Sequence, residues 1–145
     1  MRKPLRLIAG EPDEVEIISA ALQDAVAQLG DLKWDRRARR FTLVVNRYRW
    51  EDGKRGPGWR VRSALDIGSV TSVKASRVKQ EAPGAVVSIL ALVFETGEAP
   101  GGALRVDLSG GGRIRIEVEC VDLILADVSE PWRAVGRPDH GGPDA

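Results

Sequence analysis

From Leu32 to Val118 the sequence offers one strand-like segment after another, punctuated by turns and never by a helical pattern. Phe41–Trp50 (FTLVVNRYRW) is β-branched and aromatic, lacks Gly and Pro, and is apolar on both faces in its first half. Such a segment reads as a strand covered on both sides. Trp59–Asp66 alternates, Gly68 breaks it, and Val70–Val78 reads as a further strand. Ala85–Glu95 (AVVSILALVFE) is a nearly continuous apolar run whose length suits a central strand; its periodicity alone also fits a buried helix. Leu104–Leu108 and Ile114–Val118 alternate on either side of Ser109–Gly112, which predicts a hairpin with one buried face. Strands in succession without intervening helices do not build a doubly wound parallel sheet; they build an antiparallel one.

Helical spacing is confined to the flanks of this run. After a short strand at Leu5–Ala9, Val15, Ile18, Leu22 and Ala25 fall on one face. They predict a helix over Asp13–Ala25 with Asp13 as its N-cap. Val26–Leu29 and Leu32–Trp34 read as short strands around a Gly30-Asp31 turn. Beyond the hairpin, Val121, Ile124, Leu125 and Val128 take helical spacing beside Cys120 and predict a second amphipathic helix over Glu119–Val128, ended by Pro131. The expected fold class is α+β: a mainly antiparallel, strongly bent or barrel-like sheet with an N-terminal and a C-terminal amphipathic helix. A small barrel closed by its last helix, as in pleckstrin-homology-like domains, is one arrangement of that kind. The 145 residues suit a single domain over 1–132, with the Gly/Pro-rich segment 133–145 as a disordered tail.

Residue counts exclude several chemistries. Cys120 is the only cysteine and His140, in the tail, the only histidine. No internal disulfide and no Cys/His zinc site can be assembled from them. A Ser-His-Asp triad would have to draw its base from the tail. No catalytic residue, metal or cofactor is therefore expected. No apolar run approaches the roughly 18 residues a membrane helix needs. The N-terminal apolar stretch, Leu7–Ala9, is too short for a signal peptide, so a cytoplasmic protein is expected.

Charge is the one uneven property. Lys33–Lys79 holds 14 basic and four acidic residues, whereas Met1–Leu32 and the remainder of the chain are each acidic in balance. Arg36, Arg37, Arg39 and Arg40 cluster at the predicted turn before the long strand, and Arg60 and Arg62 share a strand face. Guanidinium forks suit phosphate, and nearby Trp34, Tyr48, Trp50 and Trp59 suit base stacking. The plainer reading is a solvated sheet face whose cations pair with the acidic half. Within Asn46–Glu51, Asn46, Tyr48 and Trp50 share one face and Arg47 and Arg49 the other, which suits either a ligand pocket or cross-strand packing. Glu117 and Glu119 read as part of a charge ladder with Arg113 and Arg115. Ser109–Gly112 reads as a hairpin turn, and Cys120 as a small buried hydrophobe.

Three segments carry a family resemblance: Ile18-Ser19-Ala20-x-Leu22-Gln23-Asp24-Ala25, Asn46-Arg47-x-x-Trp50-Glu51 and Glu117-Val118-Glu119-Cys120. With their surroundings, which span most of the chain except the tail, they resemble a bacterial family of uncharacterised proteins, a domain of unknown function. The resemblance implies a small cytosolic bacterial protein and brings no activity or ligand with it. The expectation is a non-catalytic binding or protein-interaction domain, whose opposed charges also suit self-association into a homo-oligomer. The alternative is an anionic ligand, nucleic acid or a phosphorylated metabolite, on the basic sheet surface.

Overall fold

The computed structural model describes residues 3–53, 57–79 and 81–135. Eleven strands form one open, antiparallel sheet: β1 (Arg6–Ala9), β2 (Val26–Gln28), β3 (Leu32–Asp35), β4 (Arg40–Tyr48), β5 (Trp59–Ile67), β6 (Val70–Ser76), β7 (Val86–Thr96), β8 (Gly102–Leu108), β9 (Arg113–Val118), β10 (Leu123–Asp127) and β11 (Trp132–Arg133). Their order is β1-β10-β5-β4-β2-β7-β8-β9-β6, with β3 on β4 and β11 on β5. The three residues of β2 are the seam, pairing β4 at Val26 and β7 along their whole length. The halves on either side of it share one core, in which Leu43, Leu65 and Leu125 meet Leu104, Val106 and Ile116. The sheet is bent but does not close: β1 and β6 remain its edges.

The expected strands are present, and the long apolar run lies at the centre as β7. Both Ile89 and Leu92 on β7 are buried, an odd spacing that plain alternation forbids. The β7–β8 register shifts between Ile89 and Ala91, so a bulge at Leu90 reconciles the two. The β8–β9 turn places Gly110 and Gly111 at φ +80° and +86°, a region glycine enters without steric cost. The strand from Phe41 ends at Tyr48, two residues early; Trp50–Asp52 is a 3-10 turn.

Two helical expectations change. The first helix is shorter than Asp13–Ala25: a 3-10 turn at Pro12–Glu14 leads into α1 (Val15–Leu22), which buries Val15, Ile18 and Leu22. Glu14, not Asp13, satisfies the start, its carboxylate accepting from the Gly10 and Glu11 amides. The second helix over Glu119–Val128 is absent. That segment is strand β10, inserted between β1 and β5. Leu123 and Leu125 point into the core and Ile124 and Ala126 to the other face. Ile124 and Leu125, neighbours in the helical spacing, lie on opposite faces of this strand, Leu125 in the core and Ile124 outward. A pleckstrin-homology-like closure by a terminal helix is therefore not the architecture. Cys120 lies in the bend before β10, its thiol 3.6 Å from the Ser69 hydroxyl. β11 reaches Arg133, which pairs with Trp59, and Ala134 is buried; residues 136–145, with His140, lie outside the described residues. No helix among the described residues is long and apolar enough to cross a membrane.

Candidate functional site

The β4–β5 register divides the expected site residues between two faces. Phe41, Leu43, Val45 and Arg47 point inward with Val61, Ser63, Leu65 and Ile67, all buried. Asn46 and Tyr48 point outward, opposite Arg62 and Arg60.

Arg47 sits at the end of the inward face and is fully buried. Its Nε donates to the Ser63 hydroxyl at 2.9 Å, and its Nη2 to Asp127 Oδ1 at 2.9 Å. Nη1 and Nη2 form a fork on Glu51 at 2.8 and 2.7 Å, and Nη1 reaches the Tyr48 carbonyl at 3.4 Å. Asp127 also accepts from the Ser63 hydroxyl at 2.7 Å and the Leu5 amide at 2.8 Å. Arg49 forks onto Asp52 and donates to the Lys3 carbonyl. Burial on its own would lower the Arg47 pKa; the hydrogen bonds and charges of Glu51 and Asp127 outweigh it and hold that pKa above its ordinary value. All five guanidinium donors are engaged, so Arg47 has no hydrogen bond left for a ligand. This network ties β4, β5, β10 and the chain before β1 together.

The other arginines scatter. Arg36 and Arg37 are exposed in the β3–β4 turn, at the far end of β4 from Arg47, without an ion pair among the described residues. Arg39 pairs with Glu119, and Arg40 forks onto Asp66 at 2.7 and 3.1 Å. Glu117 lies 3.7 Å from Arg115 in a ladder with Arg105, Arg113, Glu95 and Asp107 across β7–β9. Trp50 leaves the strand face and donates its indole N–H to the Gln23 carbonyl at the end of α1.

What does come together is the outward face. The Arg60 guanidinium lies 5.9 Å from the Tyr48 ring, and its Nη1 is buried without an acceptor among the described residues. One pair along, Asn46 and Arg62 line a cavity of about 440 Å³ with Gln28, Asp31, Val44 and Val86. Asn46 Oδ1 is buried there without a donor among the described residues, and Arg62 lies 3.5 Å from Asp31.

Residues not anticipated as site residues extend this face. Ile8 pairs with Ile124, Trp132 pairs with Arg60, and the Val128 amide donates to the Arg62 carbonyl. Alternation puts all of them outward. Ile8 is 58%, Val128 56% and Trp132 40% exposed, and Val86 at the cavity rim 63%. Among the described residues, four of the seven exposed large apolar side chains thus gather on a face that also carries Arg60 and Arg62. Sequence spacing does not expose this, because β10 imitates a helix and Trp132 stands at the end of the expected domain. Among the described residues no three His, Cys, Asp or Glu side chains assemble as metal ligands.

A family model described as protein of unknown function (DUF2948) matches residues 5–140 of the chain. No curated protein matches it, and no solved structure does.

Proposed function

Because the chain belongs to the DUF2948 family of proteins of unknown function, we propose from its own geometry that it is a non-catalytic binding domain. It takes a protein partner on the outward face of β1, β10, β5 and β4. The observation that carries this reading is the alignment of Ile8, Val128 and Trp132 with Arg60 and Arg62 on one face. Soluble chains rarely leave large apolar side chains gathered unless something docks there, and Trp and Arg dominate the energetics of docking surfaces. The half-buried single thiol suits a reducing compartment, so we place the protein in the cytoplasm.

The test is affinity capture of a partner from the source cells by wild type, W132A, R60E and, as a control away from the face, L90S. Loss of the captured protein with W132A and R60E but not L90S is expected. Capture that all four proteins retain removes the reading. The two guanidinium groups of Arg60 and Arg62 on this face also favour a second reading, an anionic ligand on the same surface. Nucleic-acid binding there would weaken with salt at a log–log slope of roughly −0.9 per phosphate contacted on duplex DNA. A mobility shift that R60E abolishes, and that follows such a slope, would select this alternative.

A further inference from the structure

At one end of the shared core the side chains of the described residues leave a space between the two halves of the sheet. A cavity of about 370 Å³ lies there, walled by β3 and β4 on one side and β6 and β9 on the other. Trp34 and Phe41 are register partners on the first wall, and Ala75 and Ile114 on the second. Leu29, Gly30, Val78 and Pro83 come from the connecting turns. Among the described residues no lining side chain carries a charge, and the Trp34 indole N–H is the only polar side-chain group.

The cavity is built, not left over. The Gly30 amide donates to the Pro83 carbonyl at 2.8 Å, and the Leu29 amide to the Ala85 carbonyl at 2.9 Å. These bonds pin the loop after β6 against the β2–β3 turn. A Cβ on residue 30 would stand 3.1 Å from both Pro83 Cβ and Pro83 O, so glycine is what lets this wall approach. Phe41 and Ile114 are almost wholly buried at the floor, and Ala75 is exposed at the mouth.

We infer that this cavity is a binding site for an uncharged apolar small molecule, distinct from the arginine-bearing face. Sites for small molecules are concave and mainly apolar, and this volume lies within their usual range of about 300–1,000 Å³. A methylene needs about the room of a liquid water, roughly 30 Å³, so about a dozen carbon atoms fill the space. An extended peptide is a poor occupant, since its amides would meet an almost wholly apolar side-chain lining. A carboxylate or phosphate is a poor one too, because no cation among the described residues lines the cavity.

The experiment is calorimetric titration of the full chain with the primary alcohols from 1-hexanol to 1-tetradecanol. Saturable one-to-one binding is expected, tightening by about fourfold per methylene and levelling off near twelve carbons as the cavity fills. Ala75→Trp, at the exposed mouth, should weaken binding at least about tenfold, since its ring would occupy the space. Lys74→Trp, exposed on the opposite face of β6, should leave binding unchanged; circular dichroism verifies that both variants fold. The inference falls if no alcohol binds saturably, if affinity climbs past twelve carbons without levelling, or if A75W binds as wild type does. A self-association of the wild type that A75W abolishes, with no alcohol bound, would show the cavity taking a side chain of a second copy and would overturn it as well.

Discussion

Arg47 shows what a single residue can and cannot tell. Its neighbours Asn46, Tyr48 and Arg49 mark the end of β4 as polar and aromatic, which suits a ligand-binding role. The structure turns Arg47 inward, against Ser63, Asp127 and Glu51. Its partner Asp127 is 80 positions away, on a segment whose spacing imitates a helix, so the pairing is invisible in sequence. Removing one partner of a buried ion pair leaves the other uncompensated, at a cost of about 3–5 kcal/mol. Arg47→Met should lower unfolding stability by that amount in a urea titration, and Arg47→Met with Asp127→Leu should recover part of it. Two single variants that cost less than about 1 kcal/mol each would show the network to be weakly coupled. Gly58 poses a separate constraint: its φ is +84°, and a Cβ there would stand 2.5 Å from the Tyr48 hydroxyl oxygen. Gly58→Ala should therefore destabilise by at least about 1–3 kcal/mol from backbone strain alone, read as a lowered melting temperature; an unchanged melting temperature would contradict the close packing.

At the scale of elements, sequence serves strands better than helices. Phe41–Tyr48, Trp59–Ile67 and the β8–β9 hairpin are legible because strict alternation and β-branched runs suit a pleated strand and little else. β10 is not, because Val121, Ile124, Leu125 and Val128 satisfy helical spacing while Leu123, Leu125 and Asp127 satisfy a strand's. The vacancy between β1 and β5 decides the matter, and no local pattern reports a vacancy. The two conformations rank positions differently. In the strand, Leu125 is fully buried and Val128 is 56% exposed. Leu125→Ala should cost about 2–5 kcal/mol, whereas Val128→Ala should stay within about 0.5 kcal/mol. Equal losses at both positions, measured by denaturant unfolding, would favour a helix packed through both residues. The arginine-bearing face is half legible: Asn46, Tyr48, Arg60 and Arg62 stand out by residue type, while Ile8, Val128 and Trp132 join them only through the sheet order.

Across the whole molecule, the uneven charge of the chain closes in part upon itself. The basic middle meets the acidic flanks through Arg47–Asp127, Arg39–Glu119 and Arg62–Asp31. The last strands are accordingly integral to the fold, with β10 supplying both the strand that joins β1 to β5 and the Arg47 counter-ion. A chain ending at Cys120 should lose cooperative thermal unfolding altogether; a shorter protein that still melts in one sharp transition would refute this interdependence. The bulge at Leu90 carries a further consequence. A strand is a two-phase signal, inward and outward by turns, and β7 must serve β2 in its first third and β8 along the rest. The extra residue is the phase correction between these two readers. Deleting Leu90 would leave each half of β7 correctly spelled but out of step with the other, sending either Ile89 or Leu92 to the wrong side of the sheet.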